Sequence, residues 1–252
     1  MHDEAHELID AASGAGLTLR LLGGLAVREH CRTAELCARD YSDLDMVSRT
    51  RDARGLRAVF AGFGYREDHE TAGATGNTQL RFVRACRHPG VERIRAHDDD
   101  HVDVFLDTFR MDHEIALGGR LDREPYTLSA SDLLLTKLQV FKLNDKDIRD
   151  VVTLLDGLSV SDGATPGAID AGYIAGLCAD DWGLYYDVGL TLQRVEEHIG
   201  EFGLSAARVA AVRQRLARLV AAIARAPKSV RFRLRARIGT RARWHNELDE
   251  QT

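Results

Sequence analysis

The hydrophobic pattern changes character about halfway along the chain. Before residue 127, short apolar stretches alternate with helical ones; beyond it the periodicity is helical almost throughout. Residues 1–13 read as a helix that Gly14-Ala15-Gly16 ends. Residues 17–22 read as a short strand, Gly23-Gly24 as the bend after it, and Leu25 to about Cys31 as a helix. A polar connector over 32–40 leads into a strand bearing Asp43 and Asp45. Leu56, Val59, Phe60 and Phe63 recur at helical spacing within 51–63, closing at Gly62-Phe63-Gly64. The turn-like Gly73-Ala74-Thr75-Gly76-Asn77 feeds an alternating strand over 78–84, and Pro89-Gly90 marks a further turn. Asp98 to Asp100 lead into the strand 101–106, where Val102, Val104 and Leu106 line one face and Asp103 shares the other with Phe105. This alternation predicts an α/β domain with a mixed β-sheet over residues 1–127.

After Pro125 the pattern predicts an all-α domain, 128–252. Ser129 and Ser131 are candidate N-caps for a helix over 132–143. Asn144-Asp145 interrupts it, and a second helix runs over 146–155 to end at Gly157. A loop over 159–172 precedes helices at 173–178, 184–199 and 205–226. The last shows an apolar stripe of Val209, Val212, Leu216, Leu219, Val220 and Ile223. Asp180-Asp181-Trp182 reads as the start of its helix rather than as part of a cleft.

Composition narrows the class. With 252 residues, 44% hydrophobic and 29% charged, the chain has the make-up of an ordinary globular protein. The absence of a signal peptide and of any apolar run near ~18 residues points to a cytoplasmic protein without a membrane span. Cys31, Cys37, Cys86 and Cys178 form no C-x-x-C pair, which predicts a reducing compartment, no disulfide framework and no structural zinc. Between Glu201 and Glu247 lie twelve basic residues and no acidic one, so the remainder carries −17 within a net charge of −5. Such a split fits either an RNA-facing segment or a basic face that complements an acidic body or partner.

The candidate chemistry starts at Gly23-Gly24. Glycines between a strand and a helix start offer bare N–H groups and a positive dipole end, which suit a phosphate. Asp43 and Asp45, two residues apart on a strand, point to one face and repel unless a cation lies between them; Mg²⁺ with a nucleoside triphosphate is the usual occupant. Asp103 is a lone acid within an apolar alternation, costly there unless paired or metal-bound. Lys137 has Leu133, Leu134, Val140 and Phe141 as helical neighbours, so it must snorkel or meet an anion. Asp147 and Asp150 share a helix face, as a solvated face with a Lys146–Asp150 pair or as groups orienting Lys137 or an acceptor. Arg81 reads as an exposed strand arginine within possible reach of a phosphate, and His30, His101 and Cys31 lack metal-ligand spacing.

The order Gly23-Gly24, Ser42-Asp43-Leu44-Asp45, then Asp103 resembles the polymerase-β-type nucleotidyltransferase superfamily. That superfamily includes aminoglycoside and lincosamide nucleotidyltransferases and the toxins of type IV toxin–antitoxin systems. Asp132-Leu-Leu-Leu-Thr-Lys137-Leu and Asn144-Asp-Lys-Asp147-Ile-Arg-Asp150 resemble helical motifs of its toxin-like branch. The resemblance implies two Mg²⁺ ions on Asp43, Asp45 and Asp103, and a nucleoside triphosphate donor held by Gly23, Gly24, Ser42 and Lys137, with Lys137 and Asp147 completing the site. It implies transfer of a nucleoside monophosphate to an acceptor hydroxyl of RNA, tRNA or a small molecule such as an antibiotic, with release of pyrophosphate. It also admits an antitoxin-like protein partner, or a non-catalytic nucleotide- or partner-binding module. Two departures stand out: 18 residues separate Gly24 from Asp43, more than is usual there, and Thr136 stands where the toxin branch often has Glu. The longer gap reads as an inserted loop over 32–39. The resemblance covers about residues 17–156.

Overall fold

The computed structural model describes residues 1–38, 41, 44–69, 78–84 and 101–246. Its contacts fall into two units. One comprises Met1–Ala26, Asp40–Phe109 and Ala116–Leu128; the other comprises Val27–Arg39, Arg110–Ile115 and Ser129–Thr252.

The first unit is built on a five-stranded sheet. Its strands are β1 (Leu19–Leu21), β2 (Leu44–Ser48), β3 (Tyr65–Glu67), β4 (Gln79–Arg84) and β5 (His101–Leu106), ordered β1-β2-β5-β4-β3. β2 and β5 run parallel while the other pairings are antiparallel, so the sheet is mixed. Register sorts the side chains. Met46, Val104 and Leu80 are aligned across three strands, as are Asp45, Asp103 and, on β4, Arg81. Period-two alternation therefore gives one apolar face and one bearing charge.

Helices α1 (His2–Gly14) and α4 (Ala53–Gly62) belong to the apolar side. Ala5, Leu8, Ile9 and Ala12 form the buried stripe of α1, and Phe60 of α4 stacks on Phe82 of β4 with ring centroids 4.0 Å apart. Each buried Leu, Val or Phe of this layer contributes about 1.5–3 kcal/mol. The helix expected over 51–63 opens with a 3-10 turn, Thr50–Asp52, whose Asp52 carboxylate accepts the Thr18 N–H at 3.1 Å. β3 was not anticipated: three residues are too few to show alternation. The turns at Gly73–Asn77 and Pro89–Gly90 and the lead-in at Asp98–Asp100 lie outside the described residues.

α2 (Gly23–Glu29) starts two residues before the expected Leu25, at the glycine bend itself. The stretch 32–40, expected as a plain connector, holds a short helix, α3 (Ala34–Cys37). A second expectation fails here: Cys31 and Cys37 are bonded as a disulfide, with Cα atoms 6.1 Å apart. A helical turn set between them folds the segment back, which their spacing in sequence does not reveal. Strands β6 (Thr108–Arg110) and β7 (Glu114–Ala116) follow β5.

The second unit is helical. α5 (Ala130–Leu138) begins at the Ser129 N-cap, whose hydroxyl accepts the Asp132 N–H. It stops at Leu138, short of the expected residue 143, and beyond it the Phe141 N–H bonds the Asp112 carboxylate at 2.8 Å in place of a helical carbonyl. Ser131, the other candidate cap, lies inside the helix and accepts the Asp170 N–H at 2.8 Å. α6 (Asp145–Gly157) opens with a capping box between Asn144 and Asp147. Where a loop was expected over 159–172, β8 (Val160–Ser161) and β9 (Ile169–Asp170) pair in parallel. α7 (Ala171–Asp180), α8 (Trp182–His198), α9 (Ala206–Arg225) and α10 (Val230–Ile238) complete the unit, α8 capped by Asp181 as its sequence implied. Among the described residues no helix is long and apolar enough to cross a membrane.

Candidate functional site

On the charged face of the sheet, Asp45 and Asp103 are register partners on the parallel strands β2 and β5. Neighbouring strands lie about 4.8 Å apart, so the register sets these two residues side by side on one face of the sheet. The glycine bend lies against the same spot. Leu22 donates its N–H to the Asp45 carbonyl at 3.0 Å. Gly23 has φ +70°, and a Cβ there would come within 2.4 Å of Asp45 Oδ2. The missing side chain at Gly23 is thus the space that the Asp45 carboxylate occupies. Gly24, the next residue, is partly exposed. Asp43 and Ser42 lie outside the described residues.

Asp103 is only 7% exposed. Arg81, one strand over in register, grips it in a fork: Nε to Oδ1 at 2.8 Å and a terminal nitrogen to Oδ2 at 2.9 Å. His101 Nε2 lies 3.5 Å from Oδ2. Burial is the largest influence on this carboxyl and would raise its pKa. Hydrogen bonds from His101 and Arg81, with the charge of Arg81, overcome it and bring the group down to about 2. Asp103 is therefore an anion at any ordinary pH. Arg81, expected on an exposed strand face, is instead the partner of the third acid; the β4–β5 register, not the local pattern, puts it there.

The donor set suits a hard divalent cation: carboxylate oxygens on one face, beside a backbone bend cleared of side chain. A cation already sits on Asp103 in the form of the Arg81 guanidinium. An ion sharing this carboxylate would use oxygen lone pairs that Arg81 leaves or releases.

Within the helical unit, Lys137 Nζ lies 2.9 Å from Asp150 Oδ2 and 3.7 Å from Asp147 Oδ1. The nearer contact is an ion pair. The Lys137 and Asp150 side chains are 16% and 3% exposed. Asp150 thus pairs with Lys137 rather than standing on a solvated face. Asp147 also closes the α6 capping box, accepting the Asn144 N–H at 3.5 Å.

Many of the arginines between residues 208 and 235 are engaged within their own unit. Arg208 binds Asp156 and Thr33, Arg213 binds Glu196, Arg215 caps the last carbonyls of α6, and Arg218 binds Asp162. Hydrogen bonding to Asp156 raises the Arg208 pKa, and the same contact helps hold Asp156 low against the opposing effect of burial. Much of the basic segment thus complements acids of its own unit.

Sequence reasoning missed one buried polar cluster. His113 Nε2 lies 2.7 Å from Asp187 Oδ2, and the Trp244 indole donates to Asp187 at 3.0 Å. Asp187 is 1% exposed. Its signal was present: it falls on the apolar stripe of α8 with Leu184, Val188, Thr191, Leu192 and Val195.

No family model and no curated protein matches the chain.

Proposed function

We propose that the protein is a Mg²⁺-dependent nucleotidyltransferase, moving a nucleoside monophosphate from a nucleoside triphosphate to an acceptor hydroxyl with release of pyrophosphate. The observation that carries this reading is the side-by-side register of Asp45 and Asp103, with Gly23 packed against the Asp45 carboxylate. Asp43, Asp45 and Asp103 would hold the metal ions. Bound there, Mg²⁺ would supply charge neutralisation for the triphosphate and the leaving pyrophosphate. The protein's own part is placement. β2 and β5 fix two carboxylates on adjacent strands, the Gly23 bend leaves Asp45 its room, and Arg81 holds Asp103 ionised. Lys137, Asp147, Gly24 and Ser42 enter the reading through the family resemblance alone.

One observation favours a second reading, a non-catalytic nucleotide- or partner-binding module. Asp103 is already neutralised by the Arg81 fork, with His101 beside it, and needs no metal to be stable. Incubation with α-labelled nucleoside triphosphates, Mg²⁺ and either total RNA or candidate small molecules separates the cases. Label on RNA or on a small molecule identifies the acceptor, and Asp45→Asn and Asp103→Asn should each reduce it at least about a hundredfold. Full turnover by either variant, or no label on any acceptor, rejects the enzyme.

A further inference from the structure

Helix α10 is fastened by one buried side chain. Phe232 is 7% exposed and meets Tyr185 edge-to-face at 5.3 Å, with the Lys228 ammonium 5.5 Å from its ring. Ser229 caps the helix by accepting the Phe232 N–H at 3.0 Å. Away from Phe232, the aliphatic side chains Val230, Leu234 and Ile238 are 65%, 57% and 48% exposed. Their spacing of four puts them on one stripe. Each leaves about half or more of its surface in water.

Arg233 and Arg237 share this face, Arg237 falling about 20° from Val230 around the helix axis. Arg241, at the same spacing, lies in the 3-10 turn that follows. All three are exposed. Neither a salt bridge nor a side-chain hydrogen bond holds any of them among the described residues. Their neighbours differ: Arg231 lies 4.0 Å from Asp180 and 3.9 Å from Asp181, and Arg235 donates to the carbonyls of Gly239 and Ala242.

We propose that this face of α10 docks an acidic amphipathic helix of a partner protein. The partner's apolar residues would cover Val230, Leu234 and Ile238, and its carboxylates would pair with Arg233, Arg237 and Arg241. Charge complementarity selects this occupant. A nucleic-acid backbone would use the arginines and leave the aliphatic stripe wet. A lipid surface would take the aliphatics only by drawing Arg237, beside Val230, toward the acyl layer. A second copy joined by a twofold axis would set arginines against arginines. An acidic helix satisfies both halves of the stripe. The inference is independent of the nucleotidyl-transfer reading.

The test is fluorescence anisotropy on the full chain with a labelled peptide of about 20 residues, Leu at helical spacing and Glu and Gln elsewhere. A scrambled peptide of identical composition is the control. The proposal expects at least about tenfold tighter binding of the amphipathic peptide at physiological salt. Leu234→Asp, Val230→Asp and the pair Arg233→Glu with Arg237→Glu should each weaken it about tenfold or more without moving the melting temperature, since these side chains are exposed. Equal binding of both peptides, or binding that ignores all three variants, overturns it. So does α10-dependent binding of a short oligoribonucleotide or of phosphatidylserine vesicles that exceeds that of the peptide. Self-association of the protein that Leu234→Asp abolishes would likewise assign the face to a second copy and overturn it.

Discussion

Substituting alanine at Gly23 perturbs the one backbone position on which the candidate site leans. Two costs are separable there. Gly23 has φ +70°, and an L side chain in the left-handed region costs about 1–2 kcal/mol. The added Cβ would also stand 2.4 Å from Asp45 Oδ2 and 3.2 Å from Asp45 Cβ and Cγ. Relief requires the Asp45 carboxylate to leave its rotamer, at about 0.5–1.5 kcal/mol. Gly64 supplies the control: its φ is +83°, and nothing lies within 4 Å of a Cβ built on it. Gly64→Ala should therefore cost only the backbone part, and Gly23→Ala about 1 kcal/mol more. Urea denaturation followed by circular dichroism measures both. Calorimetric titration with Mg²⁺ should in addition show weaker binding for Gly23→Ala alone, because its Asp45 is turned away. Two alanine variants of equal stability would refute the packing argument. Unequal stability with unchanged metal binding would refute the assignment of Asp45 as a ligand.

Two further outcomes follow from the ion pairs. Asp103 titrates at about 2 when folded against an ordinary 3.8, so its contribution, on the order of 2 kcal/mol, is complete above about pH 4 and lost as pH falls through 2. Arg81→Met should remove the part of it that does not rest on His101 and flatten the acid limb of stability measured by chemical denaturation from pH 6 to 2.5; an unchanged profile contradicts it. Lys137→Met takes the 2.9 Å cation from an almost fully buried Asp150 and should cost about 3–5 kcal/mol, part of which Asp150→Asn restores in the double variant. Additive losses in that cycle, read from denaturation midpoints, would show the pair to be uncoupled.

The sequence by itself determined what is decided within a few residues. The alternation Val102, Val104, Leu106 against Asp103 marks β5, and its boundaries match the expected strand. Ser129 and Asp181 cap helices because a short polar side chain reaches an N–H two or three residues on, wherever the helix packs. That Asp103 needed a partner was also legible, since a lone carboxylate in an apolar strand demands one. Which partner was not. Arg81 is separated from Asp103 by 22 positions, and only the antiparallel register of β4 with β5 brings them together. The parallel pairing that sets Asp45 beside Asp103 is likewise a property of the whole sheet. Tertiary structure also closed Cys31 onto Cys37 and gave Arg208 to Asp156 and Thr33, leaving Arg233, Arg237 and Arg241 outward. Local hydrogen bonds repeat wherever the same few residues recur. An ion pair between distant positions exists only after register and packing have chosen which charges meet.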